Sequence, residues 1–405
     1  MHTVTLIVFA LVYLGMIAGK YPGLALDRTG VALLGAIVLM AAGVVAPEHA
    51  LAVMDVPTMG LLFGLMIVSA QFRLGGFYAA ITRKVAAAEV TPPTLLALVM
   101  AVSATLSAFL TNDIICLAMA PLLAEGCARR KLDPKPFLIA LACATNIGSA
   151  ATLIGNPQNM LIGQSLNLPF GGYMLEAALP TAAGLAISWA IIAVLSRGRW
   201  RGDSAPSHVE PPPFNGWQTG KGIVVLLLLV AGFLFVPAPR EVLALGGAGI
   251  LLLSRKMHSR QMIGEIDWHL LVLFAGLFVV NAALQETGLL AVGMARLAGM
   301  GMDIEHPAWL FGITVVLSNL VSNVPATMLL LPAATHEMAG IILTLASTLA
   351  GNLFIVGSIA NIIVVEQAAR QGIPITWRDH ARIGVPVTIA TLAIAAAWIA
   401  IRAAV

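Results

Sequence analysis

The sequence predicts an all-α polytopic membrane protein with two inverted repeats. Each repeat has five transmembrane spans, one re-entrant hairpin and one discontinuous helix. Composition is the first reason. Of the 405 residues, 59% are hydrophobic and only 10% are charged, against about 25% charged in soluble domains. A chain of this length has room for about ten spans of about 20 residues each. Internal repetition is the second reason. Asp55…Gly64-Leu65…Ser69…Gly76 returns as Asp267…Gly276-Leu277…Asn281…Gly288 at a constant offset. Ser107…Thr111-Asn112…Pro121 returns as Ser318…Ser322-Asn323…Pro332. Ile154-Gly155-Asn156-Pro157-Gln158-Asn159 returns as Val356-Gly357-Ser358-Ile359-Ala360-Asn361. Repeats of this size mark secondary transporters. The third reason is that polar residues interrupt apolar runs at matching places. Such residues are expensive in lipid unless something uses them.

In chain order, apolar segments fall at roughly 3–18, 24–46, 58–81, 95–124, 136–165, 174–196, 222–237, 241–254, 268–295, 307–335, 341–368 and 383–404. Residues 3–18 have no basic residue before them and Lys20 where a cleavage site would need small residues, so a first span is expected there and not a signal peptide. Tyr21-Pro22-Gly23 and Pro237-Ala238-Pro239 are turns between spans. The first repeat covers 1–200, a linker containing Pro211-Pro212-Pro213 covers 201–221, and the second repeat covers 222–405. Hairpins are expected at about 93–125 and 305–336, and discontinuous helices at about 136–166 and 341–369.

Charge sets the expected topology. If both hairpins enter and return on one side, an odd number of spans inverts the second half. Lys20, Arg28, Arg83, Lys84 and the clusters at 129–135, 197–201, 221, 255–260 and 370–382 then share one side, against Arg240, Arg296 and Arg402 on the other. The rich side is cytoplasmic by the positive-inside rule. The chain is expected in the inner (plasma) membrane with both termini outside the cytoplasm. Reading 95–124 as one kinked span would move most clusters across and erase the bias. Hairpin limbs of about 15 residues would reach about 22 Å, short of a core of about 30 Å.

The polar tips are the candidate site. Thr111, Asn112 and Asp113 stand at the first tip, Ser322 and Asn323 at the second. The first discontinuous helix carries Asn146, Gly148, Ser149, Thr152 and Asn156, and the second carries Thr348, Asn352 and Ser358. Pro157 removes a backbone donor and disfavours helix at Asn156, while Gly148 and Gly155 weaken the helix further. Freed backbone groups in lipid must be buried in protein or line a cavity. Half-helix N-termini favour anions or polar oxygens, and carboxamides offer both donors and acceptors. Asp113 is the candidate coupling group, able to carry a proton or hold Na⁺; its other role is to stabilise the helix that begins there. The second tip has Val324-Pro325 where the first has Asp113-Ile114, so only one half bears an acid.

Several classes are disfavoured. A net charge of +3 does not suggest nucleic-acid binding, and Cys116, Cys127 and Cys143 have neither disulfide nor metal spacing. No nucleophile–base set or phosphate loop stands out, so no enzyme and no cofactor is expected.

The string Asn146-Ile147-Gly148-Ser149-Ala150-Ala151-Thr152-Leu153-Ile154-Gly155-Asn156-Pro157-Gln158-Asn159 resembles the ion transporter superfamily. Within it, the chain is similar to the arsenical pump membrane protein branch, which includes arsenite permeases and plant silicic-acid efflux transporters. Thr111-Asn112-Asp113 is similar to the Asn-Asp pair of arsenite permeases. The resemblance implies a scaffold and a moving domain carrying both hairpins. It implies outward transport of arsenite, antimonite, silicic acid or a related small inorganic solute against proton influx. Partners are then the solute and the bilayer; a soluble ATPase partner and the oligomeric state stay open. The Na⁺-coupled dicarboxylate branch has Ser-Asn-Thr at both tips, unlike either tip here. The Na⁺/H⁺ antiporter branch has an acid near the place of Asn156. These two branches supply the alternative, with Na⁺ as the coupling ion.

Overall fold

The computed structural model describes residues 2–19, 23–202, 210 and 212–403. Lys20, Tyr21, Pro22 and Pro211, used above as markers, lie outside the described residues. Among the described residues there are twenty α-helices and two 3-10 turns, with one isolated bridge between Leu132 and Arg201 in place of any sheet.

The helices divide into two sets of ten in the same order. α1 (His2–Ala18) and α2 (Arg28–Ala41) correspond to α11 (Gly216–Phe235) and α12 (Arg240–Leu252). α3 (Pro47–Ala52), α4 (Val56–Leu74) and α5 (Phe77–Ala86) correspond to α13 (Ser259–Gly264), α14 (Trp268–Glu286) and α15 (Leu289–Gly299). The hairpin helices α6 (Pro92–Phe109) and α7 (Asn112–Arg129) correspond to α16 (Pro307–Val321) and α17 (Asn323–Leu330). The half-helices α8 (Pro134–Ser149) and α9 (Pro157–Ser165) correspond to α18 (Ala339–Ala350) and α19 (Ile359–Arg370). The long helix α10 (Phe170–Leu195) corresponds to α20 (Trp377–Ala403).

Local chemistry explains the boundaries. Asp55 and Asp267 accept the backbone N–H of Thr58 and Leu270, both at 3.0 Å, and so start α4 and α14. Gly76 and Gly288 both take φ 70°, a left-handed conformation that glycine adopts without a Cβ penalty. Each bends the chain and splits one apolar run into two helices. Prolines stand in the first turns of α6, α8, α9 and α16, where no backbone donor is lost.

End-to-end contacts show the inversion. Arg382, at the start of α20, donates to the Leu195 carbonyl at the end of α10, while Arg402, at the end of α20, pairs with Glu176 near the start of α10. The same holds for α4 and α14: Arg73 pairs with Glu265, and His49 lies 2.5 Å from Glu286. Repeat mates are therefore antiparallel. The two halves also interlock, α2 against α14 and α12 against α4. A Cβ on Gly64 would lie 2.7 Å from the Ala244 carbonyl carbon, and one on Gly276 would lie 2.7 Å from the Ala32 carbonyl carbon. Both crossings need bare backbone, as close helix contacts in membranes commonly do.

Six helices are long and apolar enough to cross a membrane: α4, α6, α10, α11, α14 and α20. α1, α2, α15, α16 and α18 are apolar but shorter. The limb-length argument for hairpins is weaker in the first half than the sequence suggests. α6 and α7 have 18 residues each, about 27 Å at 1.5 Å per residue, and α6 is one of the six long helices. The limbs nevertheless fold back on each other. Only Leu110 and Thr111 separate them, and Arg130, just after α7, donates to the carbonyls of Ala88 and Val90 just before α6, at 2.8 and 2.6 Å. Both ends of this hairpin stand together. The second hairpin is shorter, with 15 residues in α16 and 8 in α17.

Candidate functional site

The breaks in α8–α9 and α18–α19 are built alike. Asn156 and Ser358 cap the second half-helices, accepting the backbone N–H of Asn159 at 2.8 Å and of Ala360 at 3.2 Å. Asn159 donates back across its break to the carbonyls of Ser149 and Thr152, and Asn361 to those of Gly351 and Phe354. These carboxamides satisfy the carbonyls that an interrupted helix leaves open. Gly155 and Gly148 are needed for close approach. A Cβ on either would strike backbone, of Ser149 and Ser107 in one case and of Ala104 in the other. Gly148 lies inside α8 and serves packing on α6, rather than the weakening of helix expected of it.

Each half-helix then engages the opposite repeat. Asn146 accepts from Ser358 at 2.9 Å and from Asn112 at 3.4 Å, and donates to Asn352 at 2.8 Å and to Asn361 at 3.3 Å. Its carboxamide ties the first hairpin tip to the second break. Thr348 is its repeat mate. Thr348 accepts from Asn156 and Gln158, both at 3.3 Å, and donates to Asn159 at 3.2 Å. The two breaks are thus laced together by one buried polar network.

The structure divides the sequence-derived candidates by what their polar atoms are free to do. Ser149, Thr152, Asn156, Thr348 and Ser358 are committed to frame bonds; the Thr152 hydroxyl takes the Ala108 carbonyl near the end of α6. Thr111 is anchored on Ser69 of α4, 3.2 Å between hydroxyls. Ser322 has φ 78° and ψ 160°, a region where a non-glycine residue is strained. It joins α16 to α17 with a single residue. The uncommitted groups are few. Asn112 Oδ1, Asn323 Oδ1 and Asn352 Nδ2 are buried without a partner. The Asp113 carboxylate, half-buried in the first turn of α7, has no hydrogen-bond or ion-pair partner among the described residues. Among the described residues it takes no hydrogen bond from the backbone N–H groups of the helix start.

Sequence reasoning missed four contributors. Asn159 and Asn361 hold the breaks, and their place in the matched Gly-Asn-Pro-Gln-Asn and Gly-Ser-Ile-Ala-Asn strings was the available signal. Asn319 Oδ1 is a further buried acceptor without a partner, beside Gly357. Asn281 of α14, the mate of Ser69, accepts the Tyr13 hydroxyl at 2.8 Å, and that hydroxyl also reaches the Pro325 carbonyl of the second hairpin. Cys116 is buried, 3.2 Å from the Thr145 hydroxyl; no cluster of three or more His, Cys, Asp or Glu stands among the described residues.

Such an arrangement offers neutral amides, hydroxyls and the Asp113 carboxylate at the junction of two hairpins and two broken helices. It has neither a nucleophile with a base nor a cationic clamp. It can hold a small solute by hydrogen bonds and present one ionisable group to it.

Known proteins agree with that architecture. The citrate transporter family model (CitMHS) matches residues 6–341. An uncharacterized transporter of Mycobacterium tuberculosis is 30% identical over 93% of this chain and 94% of its own length. A silicon efflux transporter of Oryza sativa is 27% identical over 96% of this chain and 95% of its own. The YdaH transporter of Alcanivorax borkumensis, described as having an unusual topology, aligns with a TM-score of 0.55 and 15% identity over 97% of this chain and 95% of its own, a likeness of fold alone. The chain belongs to the citrate transporter family within the ion transporter superfamily, a group of multi-pass membrane transporters.

Proposed function

We propose that this protein is a proton-coupled secondary transporter that exports a small oxygen-rich inorganic solute, with arsenite, antimonite and silicic acid as the solutes of choice. The observation that carries this reading is the pairing of a carboxylate without a hydrogen-bond or ion-pair partner among the described residues, Asp113, with neutral carboxamides at one hairpin tip. A neutral hydroxide of this kind both donates and accepts hydrogen bonds. Asn112 Oδ1 and Asn323 Oδ1 supply acceptors and Asn352 Nδ2 a donor. A tricarboxylate such as citrate would instead call for cationic partners, and the network around Asn146 contains none. The silicon efflux transporter of Oryza sativa supports an oxygen-rich cargo and an outward direction.

In this reading Asp113 binds a proton on one side and releases it on the other as the hairpins move, and solute occupies the tips in the opposite phase. Asn146 transmits the state of the first tip to the second break. The sequence's basic clusters support an orientation with the ends carrying Arg130, Lys135, Arg199 and Arg382 in the cytoplasm of a plasma-membrane protein. A second reading, Na⁺ coupling, is favoured by three unpartnered carboxamide oxygens, those of Asn112, Asn319 and Asn323, since hard cations take oxygen ligands.

Uptake of arsenite and of silicic acid into everted membrane vesicles separates these readings. Accumulation driven by a pH gradient, abolished by a protonophore and indifferent to Na⁺, is the expected result. Na⁺-dependent flux without response to the pH gradient would replace the proton by Na⁺.

A further inference from the structure

Each broken helix leaves one carbonyl that the following long helix satisfies, and the two halves do this with different chemistry. In the first half, Ala150 stands six residues before the cap Asn156, and its carbonyl accepts the Tyr173 hydroxyl of α10 at 2.7 Å. In the second half, Asn352 stands six residues before the cap Ser358, and its carbonyl lies 3.1 Å from His380 Nε2 of α20. The same carbonyl is therefore held by a phenol in one repeat and an imidazole in the other. His380 is buried, with 2% of its surface exposed. Gly384 brings α20 this close: a Cβ there would stand 2.5 Å from the Asn352 carbonyl oxygen.

A carbonyl oxygen only accepts, so Nε2 carries the hydrogen and the neutral ring must leave Nδ1 bare. Nδ1 is then the nitrogen that takes up a proton. Imidazole titrates near neutrality and a phenol does not. Protonation makes the Nε2–H bond charge-assisted, but it also puts a charge on a buried ring that has no acidic partner among the described residues, and that burial costs more than the bond gains. The held residue matters because Asn352 also presents Oδ1 to Asn146 and a free Nδ2 to the candidate site.

We propose that His380 is a positioning residue that makes the second broken helix, and not the first, loosen as the pH falls. The inference rests on the reading of the two breaks as parts of a carrier, not on the identity of the solute or coupling ion. The charged groups on the elements around it are mostly cationic. α18 contributes none, α8 contributes Lys135 and its cap Asp133, and Arg199 follows α10. On α20 itself, Asp379 is paired with Lys135 at 3.0 Å, Arg382 is bound to a carbonyl, and Arg378 is a guanidinium.

The test is hydrogen–deuterium exchange on the full chain in lipid nanodiscs, without solute or gradient. The readout is the ratio of exchange rates in peptides over 351–358 and 149–156. Taking the ratio within one sample cancels the intrinsic pH dependence of amide exchange. Between about pH 5.5 and pH 8 the wild-type ratio should fall about three-fold. His380→Gln keeps a donor but cannot titrate, and should remove at least half of that change on a logarithmic scale. His380→Tyr gives the second break the donor of the first and should do the same; it carries the test if the glutamine variant does not fold. Tyr173→Phe should raise exchange over 149–156 by the same factor at every pH. A wild-type ratio that does not move with pH, or a titration-silent variant that keeps more than half the change, overturns the proposal. Neither result bears on whether vesicles accumulate arsenite, so the two readings fail separately.

Discussion

The two halves share a frame and differ at the tips. At the scaffold crossings they are near copies: Gly64 and Gly276 each press on bare backbone of the opposite repeat, and Asp55 and Asp267 cap equivalent helices with the same 3.0 Å bond. At the hairpins they diverge. The first has two 18-residue helices and an acid in the first turn of α7, while the second ends in an 8-residue helix with Pro325 in that region. At the hub, Asn146 faces its mate Thr348. A carboxamide has two donor hydrogens and an acceptor oxygen, a hydroxyl one donor hydrogen, so the first half can reach four partners where the second reaches three. Symmetry supplies two alternating arrangements of one frame. In the proposed function, asymmetry decides where cargo and proton sit.

That comparison can be broken most severely at Asn146. Asn146→Ala leaves buried groups of Asn352, Asn361 and Ser358 without partners. It should abolish solute accumulation and destabilise the protein by on the order of 3 kcal/mol, measured by thermal unfolding in nanodiscs. Thr348→Ala should do the same more weakly. A milder loss at Asn146 than at Thr348 would reverse the ranking of the two halves.

The frame symmetry comes next. Gly64→Val and Gly276→Val both force a side chain into backbone, and each should cost about 1–3 kcal/mol by the same unfolding measurement. Equal losses support equivalent crossings; a loss at one site only would show that the interlock is one-sided. The smallest effect is expected at Thr111→Ala. It removes one hydroxyl bond to Ser69 and should cost about 1 kcal/mol or less, with transport slowed rather than lost.

Much of the architecture was legible in the chain. The constant offset between Asp55…Gly76 and Asp267…Gly288 points to repeat mates because the same capping acid and the same left-handed glycine are needed at both places. Pro157 marks a break because it cannot continue a helix. Other features were hidden. The lengths of the hairpin limbs depend on where a helix ends in three dimensions, and apolar runs do not mark that point. The commitments of Ser149, Thr152 and Thr348 could not be read either. A hydroxyl that binds solute and one that satisfies a neighbouring carbonyl look alike in sequence, and only the partner across the break distinguishes them. His380 escaped notice because no motif surrounds it; it matters through Asn352, which is close only in the fold.

The central claim is that Asp113 couples the proton to the solute, and Asp113→Asn tests it most directly. The carboxylate has no partner to lose, so stability should change by no more than about 0.5 kcal/mol. Two fluxes are then compared in the same vesicles. Solute exchange across the membrane at equal pH needs only binding and movement. Accumulation driven by a pH gradient needs the proton as well. The account predicts that Asp113→Asn keeps exchange and loses gradient-driven accumulation. A variant that still concentrates solute with wild-type dependence on the pH gradient would contradict it and remove Asp113 from the coupling step.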